Sequence, residues 1–364
     1  MKMSTTSSWS ARAIGFGMTR PSTSDARTSV KNTLVGMRRR IDRVVDEPEA
    51  HSREEYEQLP DAEREMYDAR RVRWFGSGFT LSNEATTSLL RSVRAYLAMR
   101  DLEAIGSQGV CVLTGPANVG KSTSLLQLAK EAEARAYRRY SAFREDGHVP
   151  VALIEMAPGA TPKGVATSLL DFFAVPYRQR DSHQVLVRQA SEVIAQRRTS
   201  LLIVDEFHAV QLDGRRGDDA INTVKAIINN TGVVTVLAGI DLDVHLGSRA
   251  AEQLMARGET HRHSPFDYAS EGSRRSWARL VKAFATQMSL VDGPPDLSEY
   301  ADGLHAITGG RIGALRRVLG FAMLTMLEEK ESTKSQEELT DRHLGIAANS
   351  TAQRQPAACK KKPA

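Results

Sequence analysis

Eight consecutive residues, Gly115-Pro116-Ala117-Asn118-Val119-Gly120-Lys121-Ser122, satisfy the pattern G-x-x-x-x-G-K-[ST] at every fixed position. These residue types in this order suit the wrapping of a polyphosphate. Glycines let the backbone close around an anion so that successive N–H groups point at it, and a helix opening at the end of the loop adds its positive pole. Lys121 is then placed to reach the β- and γ-phosphates, the Ser122 hydroxyl is a ligand for Mg2+, and Thr123 follows as a further nucleotide-binding candidate. ATP with Mg2+ is the expected cofactor.

A second pair completes the chemistry. The apolar run Leu201-Leu202-Ile203-Val204 delivers Asp205 and Glu206, and in open α/β sheets ligands collect at the carboxyl ends of the strands. Adjacent strand-end side chains project differently, which lets Asp205 hold the metal through its water shell while Glu206 orients and deprotonates the attacking water. Asp205-Glu206-Phe207-His208 also looks like the DExH box of helicases, but the chain lacks the length and sequence for the second RecA-like domain a helicase needs.

Positioning these groups requires a strand before the loop and a helix after it. Val110 to Leu113 reads as that strand, and Leu125, Leu128, Ala129 and Ala132 mark the helix. Further β-branched runs at Val151 to Ile154, Leu201 to Val204 and Val233 to Leu237 alternate with helical segments, predicting a parallel sheet covered by helices on both faces. An amphipathic helix over Ser82 to Leu102, with Leu89, Leu90, Val93, Tyr96 and Leu97 on one side, leads into it. Beyond about residue 270 only helical patterns remain, at Arg274 to Ser289, Leu297 to Ile307, Ile312 to Glu329 and Glu337 to Ala347. The expected organisation is a basic, largely disordered segment with a possible helix over 1–75, an α/β core over 76–270, a small helical lid over 271–347 and a disordered basic tail over 348–364.

The bulk numbers narrow the partners. A net charge of +5 and a pI near 9.2 favour a polyanion, because counterions released from phosphates reward Lys and Arg. The N-terminal stretch, with no acidic residue before Asp25, superficially resembles a transit peptide, and a basic tail carrying Arg38, Arg39 and Arg40 is the expectation. Two cysteines, Cys111 and Cys359, support neither a disulfide framework nor a cysteine metal site. The longest apolar run, Val318 to Leu327, falls short of the roughly 18 residues a membrane span needs; a cytoplasmic protein without a membrane partner is expected. His183, His208, His245, His261 and His263 lack metal-ligand spacing and are expected as surface or core residues.

With loop, acidic strand and helical lid in order, residues 75 to 345 resemble the TniB and TnsC group of AAA+ transposition ATPases, related in role to MuB. Three further stretches carry the resemblance: Ala157-Pro158-Gly159-Ala160-Thr161-Pro162-Lys163-Gly164, Val236-Leu237-Ala238-Gly239, and Thr308-Gly309-Gly310-Arg311-Ile312-Gly313. It implies the AAA+ form of the P-loop NTPase fold, and an ATP-dependent regulator that assembles on double-stranded DNA as a homo-oligomer, ring or filament, without sequence preference. It also implies recruitment or activation of a DDE transposase. The alternatives are a nucleotide-switched signalling or scaffold ATPase that binds protein and no DNA, and a helicase-loader-like ATPase.

The resemblance also transfers residue roles. Arg257 matches the arginine that meets a neighbouring subunit's γ-phosphate, with Arg262 as the fallback. Lys163, with Thr161 beside it, matches the loop that faces a DNA channel; Arg215 and Arg216, after the acidic strand, are further DNA candidates. Two departures point to slow turnover. Where relatives carry a polar sensor of the γ-phosphate, this chain has Ile240, so Asp241 is the expected substitute. Where many carry a lid arginine it has Gly313, which leaves Arg311 or Arg316.

Overall fold

The computed structural model describes residues 31–81, 83–102, 109–210, 215–242, 252–254, 256, 258–333 and 337–352. Five strands form one parallel sheet: β1 (Val110–Thr114), β2 (Val151–Glu155), β3 (Leu201–Asp205), β4 (Val234–Gly239) and β5 (Gly258–Arg262), in the order β2-β3-β4-β1-β5. Every residue of β1, β3 and β4 is buried, as expected of parallel strands covered on both faces. The four apolar runs read from the sequence are β1 to β4; β3, β4 and β1 are interior and β2 lies at one edge. The fifth strand was not expected: Gly-Glu-Thr-His-Arg has no apolar pattern, and it joins the sheet only by pairing along β1, Val110 opposite Gly258 through Thr114 opposite Arg262.

Within the segment 1–75, expected to be basic and largely disordered with a possible helix, and just beyond it, the chain carries three helices: α1 (Leu34–Ile41), α2 (Arg53–Gln58) and α3 (Asp61–Ser77). Pro60 separates α2 from α3. What composition hid is burial of a few residues within charged helices. Met37 and Ile41 enter the main core, and Phe75 enters a second core. Arg71 is fully buried, with both terminal nitrogens on the Glu337 carboxylate at 2.8 and 3.0 Å and a further bond to Asp68.

The helix α4 (Glu84–Asp101) packs beside α5 (Lys121–Arg139), joined by a buried Thr86–Ser124 hydroxyl pair at 2.7 Å and by the Arg94–Glu131 ion pair. On the other face α6 (Pro162–Phe172), α7 (His183–Gln196) and α8 (Arg215–Thr231) pack against one another. The chain runs from β1 outward to β2 and then back through β3 to β4, so right-handed crossovers place these helix groups on opposite faces. The reversal opens a crevice at the carboxyl ends of the strands.

The lid consists of α9 (Glu271–Ala285), α10 (Ala301–Thr308), α11 (Ile312–Thr333) and α12 (Asp341–Ala352) around a separate core that includes Trp277, Phe284, Leu315 and Leu319. Phe75 of α3 belongs to that core, so α3 packs with the lid. No described helix is long and apolar enough to cross a membrane.

Candidate nucleotide site

The loop between β1 and α5 takes a backbone path that its residue types dictate. Gly115 and Gly120 have φ of +142° and +97°, and Asn118, a residue that tolerates the left-handed region, has +64°. A Cβ on Gly115 would stand 2.1 Å from the His263 carbonyl oxygen. The imidazole of His263 is buried beneath the loop, Nδ1 lying 3.1 Å from the Val119 carbonyl oxygen. Lys121 opens α5 and is buried; its ammonium donates to the Gly115 and Pro116 carbonyls, both at 2.7 Å. Burial holds its pKa below the usual lysine range, opposed by the fields of Glu206, Asp205 and Asp241.

Ser122 and Asp205 meet. The Ser122 hydroxyl donates to Asp205 Oδ2 at 3.0 Å, while Asp205 Oδ1 accepts from the Glu206 backbone N–H at 2.9 Å. Burial pushes the Asp205 carboxyl above its ordinary range, opposed by these two hydrogen bonds. A hydroxyl and a buried carboxylate converging beside an anion loop fit a hard divalent cation, which takes oxygen ligands. Glu206 leaves the strand in the left-handed region, φ +55°, a conformation that costs a non-glycine residue about 1–3 kcal/mol. Its carboxylate lies 3.4 Å from His208 Nε2.

The lid closes on the loop through the start of α11. The Gly313 N–H donates to the Asn118 carbonyl at 2.8 Å, and one helical turn on, Arg317 donates to the Asn118 side-chain oxygen at 2.8 Å. A Cβ at position 313 would stand 2.9 Å from that carbonyl oxygen, so the approach requires glycine. Arg317 was absent from the sequence-based candidates; its i+4 spacing from Gly313 places both on one helix face. Arg316 instead donates to the Phe79 carbonyl at 2.6 Å and lies 4.2 Å over the Phe79 ring, and burial lowers its pKa. Arg311 precedes the helix, and its buried Nε has no hydrogen-bond partner among the described residues. A cavity beside the loop, at the junction of α4, α5 and α11, is lined by Thr80, Leu81, Thr123, Gln127, Ile312 and Arg316.

The remaining candidates are carried by other elements. Asp241 follows β4 with φ +46°, within electrostatic reach of Lys121. Thr161 caps α6, accepting from the Gly164 N–H, and Lys163 in its first turn donates to the Gln179 carbonyl at 3.0 Å. Arg215 and Arg216 open α8. Arg262 ends β5 opposite Thr114. Arg257, His245, Cys359 and the C-terminal lysines lie outside the described residues. Of the histidines expected at the surface or in the core, His261 and His263 are buried; among the described residues no group of three or more histidine, cysteine or carboxylate side chains is placed to hold a metal.

A family model described as an AAA domain matches residues 103–244, which span the loop, the acidic strand and β4. Among solved structures, the ORC2 protein of Aeropyrum pernix in its ADPNP-ADP complexes is 16% identical with a TM-score of 0.53, covering 77% of this chain and 71% of that one. Cdc6p from Pyrobaculum aerophilum is 12% identical with a TM-score of 0.53, covering 76% of this chain and 70% of that one. Among curated proteins no match is found. The chain therefore has the α/β P-loop AAA+ ATPase fold, its parallel five-stranded sheet flanked by helices. Identities this low establish the fold alone.

Proposed function

We propose that this chain is an ATP-dependent, DNA-binding regulator of transposition that assembles as a homo-oligomer on duplex DNA and recruits or activates a DDE transposase. The observation that carries the nucleotide half is the convergence of Ser122 on Asp205 at 3.0 Å beside Lys121 and the glycine loop. Bound Mg-ATP would supply the transferable phosphoryl group and the metal charge that offsets its negative oxygens. The loop amides and Lys121 bind the phosphates, Ser122 and Asp205 hold the metal, and Glu206 orients a water and takes its proton. The cavity between Leu81, Gln127 and Ile312 would receive the base and sugar. Support for nucleotide binding also comes from the similar ORC2 protein, whose structure is a complex with ADPNP and ADP.

The DNA half rests on the basic balance, on the position of Lys163 at the start of α6, and on the resemblance carried by residues 157–164 and 308–313. Sequence-independent phosphate contacts repeated along an assembly would add up. Arg257 is the proposed finger that reaches the next subunit's phosphate. Slow turnover follows from Ile240 at the sensor position, with ATP acting as an assembly switch.

The test is binding of the full chain to random-sequence duplex with Mg-ATP, Mg-ADP or no nucleotide, followed by electron microscopy. ATP-dependent binding with rings or helices around the duplex is expected. Lys121→Ala should lose nucleotide binding and assembly, and Glu206→Gln should bind ATP and stay assembled. Nucleotide-independent or absent DNA binding removes the DNA half. Copurification with a replicative helicase instead of a transposase would replace regulator by loader.

A further inference from the structure

His208 follows the two carboxylates, and none of the roles above uses it. Both ring nitrogens are fixed by their surroundings. Nδ1 lies 3.2 Å from the Ile240 backbone N–H. A backbone N–H can only donate, so Nδ1 of the neutral ring is the bare nitrogen and the proton sits on Nε2. That Nε2–H faces Glu206 Oε2 at 3.4 Å.

Two further features show that the ring is built into this place. A Cβ on Gly239, the last residue of β4, would stand 3.0 Å from His208 Nδ1 and 3.1 Å from the His208 backbone nitrogen. Glycine at the strand end is what lets the ring approach. Glu206 itself holds a strained left-handed backbone, which persists only where the surroundings over-determine it. Ile240, next along from Gly239, has no polar side chain to offer toward the site.

We propose that His208 is a positioning residue for Glu206, its imidazole tying the carboxylate at the end of β3 to the backbone at the end of β4. Resting on the reading of this site as an ATP-hydrolysing one, the assignment supplies through the ring the polar link that Ile240 lacks. No proton leaves His208; Nε2–H orients Glu206 while the carboxylate takes the proton of the attacking water. A shift at the end of β4 moves the ring and with it Glu206.

The experiment compares His208→Ala, His208→Asn and His208→Gln in the full chain, measuring ATP hydrolysis at steady state and Mg-ATP binding by calorimetry. Glutamine carries its amide nitrogen to the place of Nε2, whereas asparagine ends near the place of Nδ1. The expected result is a fall in kcat of about tenfold or more in the Ala and Asn variants, with KM and Kd within about twofold and most of the rate restored by Gln. Unchanged kcat in His208→Ala overturns the proposal. So does a parallel loss of binding and rate in all three variants, the signature of a merely structural role. Nitrogen-15 NMR of the wild-type imidazole gives an independent check: the Nε2–H tautomer is expected, and an Nδ1–H tautomer overturns the assignment whatever the activity. A wild-type chain that binds Mg-ATP without hydrolysing it, or binds none, removes the ATPase reading itself and this assignment with it, an outcome separate from a loss confined to the variants.

Discussion

At the scale of the residue, His263 gives the site's floor a pH dependence. With its Nδ1 on the Val119 carbonyl, an acceptor, that nitrogen carries the proton and Nε2 is bare. Nε2 is buried without a hydrogen-bond partner, so protonation would place an N–H where nothing accepts it. Burial lowers the His263 pKa below the ordinary 6.5, against the Val119 hydrogen bond, and Lys121 and His261 push the same way as burial. His261 is lowered too, again chiefly by burial. The sign follows: below about 6.5 the unfolded chain binds these protons and the folded chain does not, so stability present above that pH is lost as pH falls toward the depressed folded values. Thermal midpoints of the wild type should drop between pH 7.5 and 5.5 more steeply than those of His263→Asn. Identical slopes would remove His263 as a cause.

At the scale of the element, two contacts decide how the lid sits. The first is the start of α11 on the loop. Gly313→Ala forces the helix away from the Asn118 carbonyl, which a Cβ would approach to 2.9 Å. The expected consequence is Mg-ATP affinity weakened about tenfold, or about 1.4 kcal/mol, with global unfolding in urea little changed because the lid's own core is untouched. Equal affinity would show that this contact does not govern binding. The second is the buried Arg71–Glu337 pair that fastens α3 to the segment before α12. Replacing Arg71 by Leu leaves buried carboxylates without their cation, and a loss of about 3–5 kcal/mol in urea denaturation is expected. Replacing both Arg71 and Glu337 by apolar residues should cost much less, since no uncompensated charge remains. A double variant as unstable as the single one would contradict that account.

At the scale of the whole molecule, the question is whether subunits stack with a repeated basic loop along DNA. Lys163 donates to the Gln179 carbonyl of its own chain, and releasing that hydrogen bond would make the ammonium available to phosphate. If each subunit contributes such a contact, the logarithm of affinity falls linearly with the logarithm of salt. Lys163→Glu should weaken binding to all sequences alike and flatten that dependence, without changing Mg-ATP affinity. A filter-binding series over salt reads both quantities, and an unaltered slope would remove Lys163 from the interface.

What the sequence determined by itself was local and periodic. The loop Gly115 to Ser122 and the pair Asp205 and Glu206 are contiguous, so the chemistry proposed for them can be read from residue type and order; β1 to β4 announced themselves because strands covered on both faces must be largely apolar. Tertiary structure decided what depends on partners distant in the chain. The strand β5 exists through pairing with β1, not through its own polar residues. Arg71 is buried because Glu337, 266 positions away, neutralises it, whereas a charge-rich helix reads as solvated when taken alone. Arg317, rather than Arg311 or Arg316, reaches the loop because the closeness of Gly313 fixes the rotation of α11. His208 gained its place from Gly239, the last residue of a separate strand, and from Ile240 just after it. Contacts between residues far apart in the chain are set by packing and burial in three dimensions, and no pattern of neighbouring residue types encodes them.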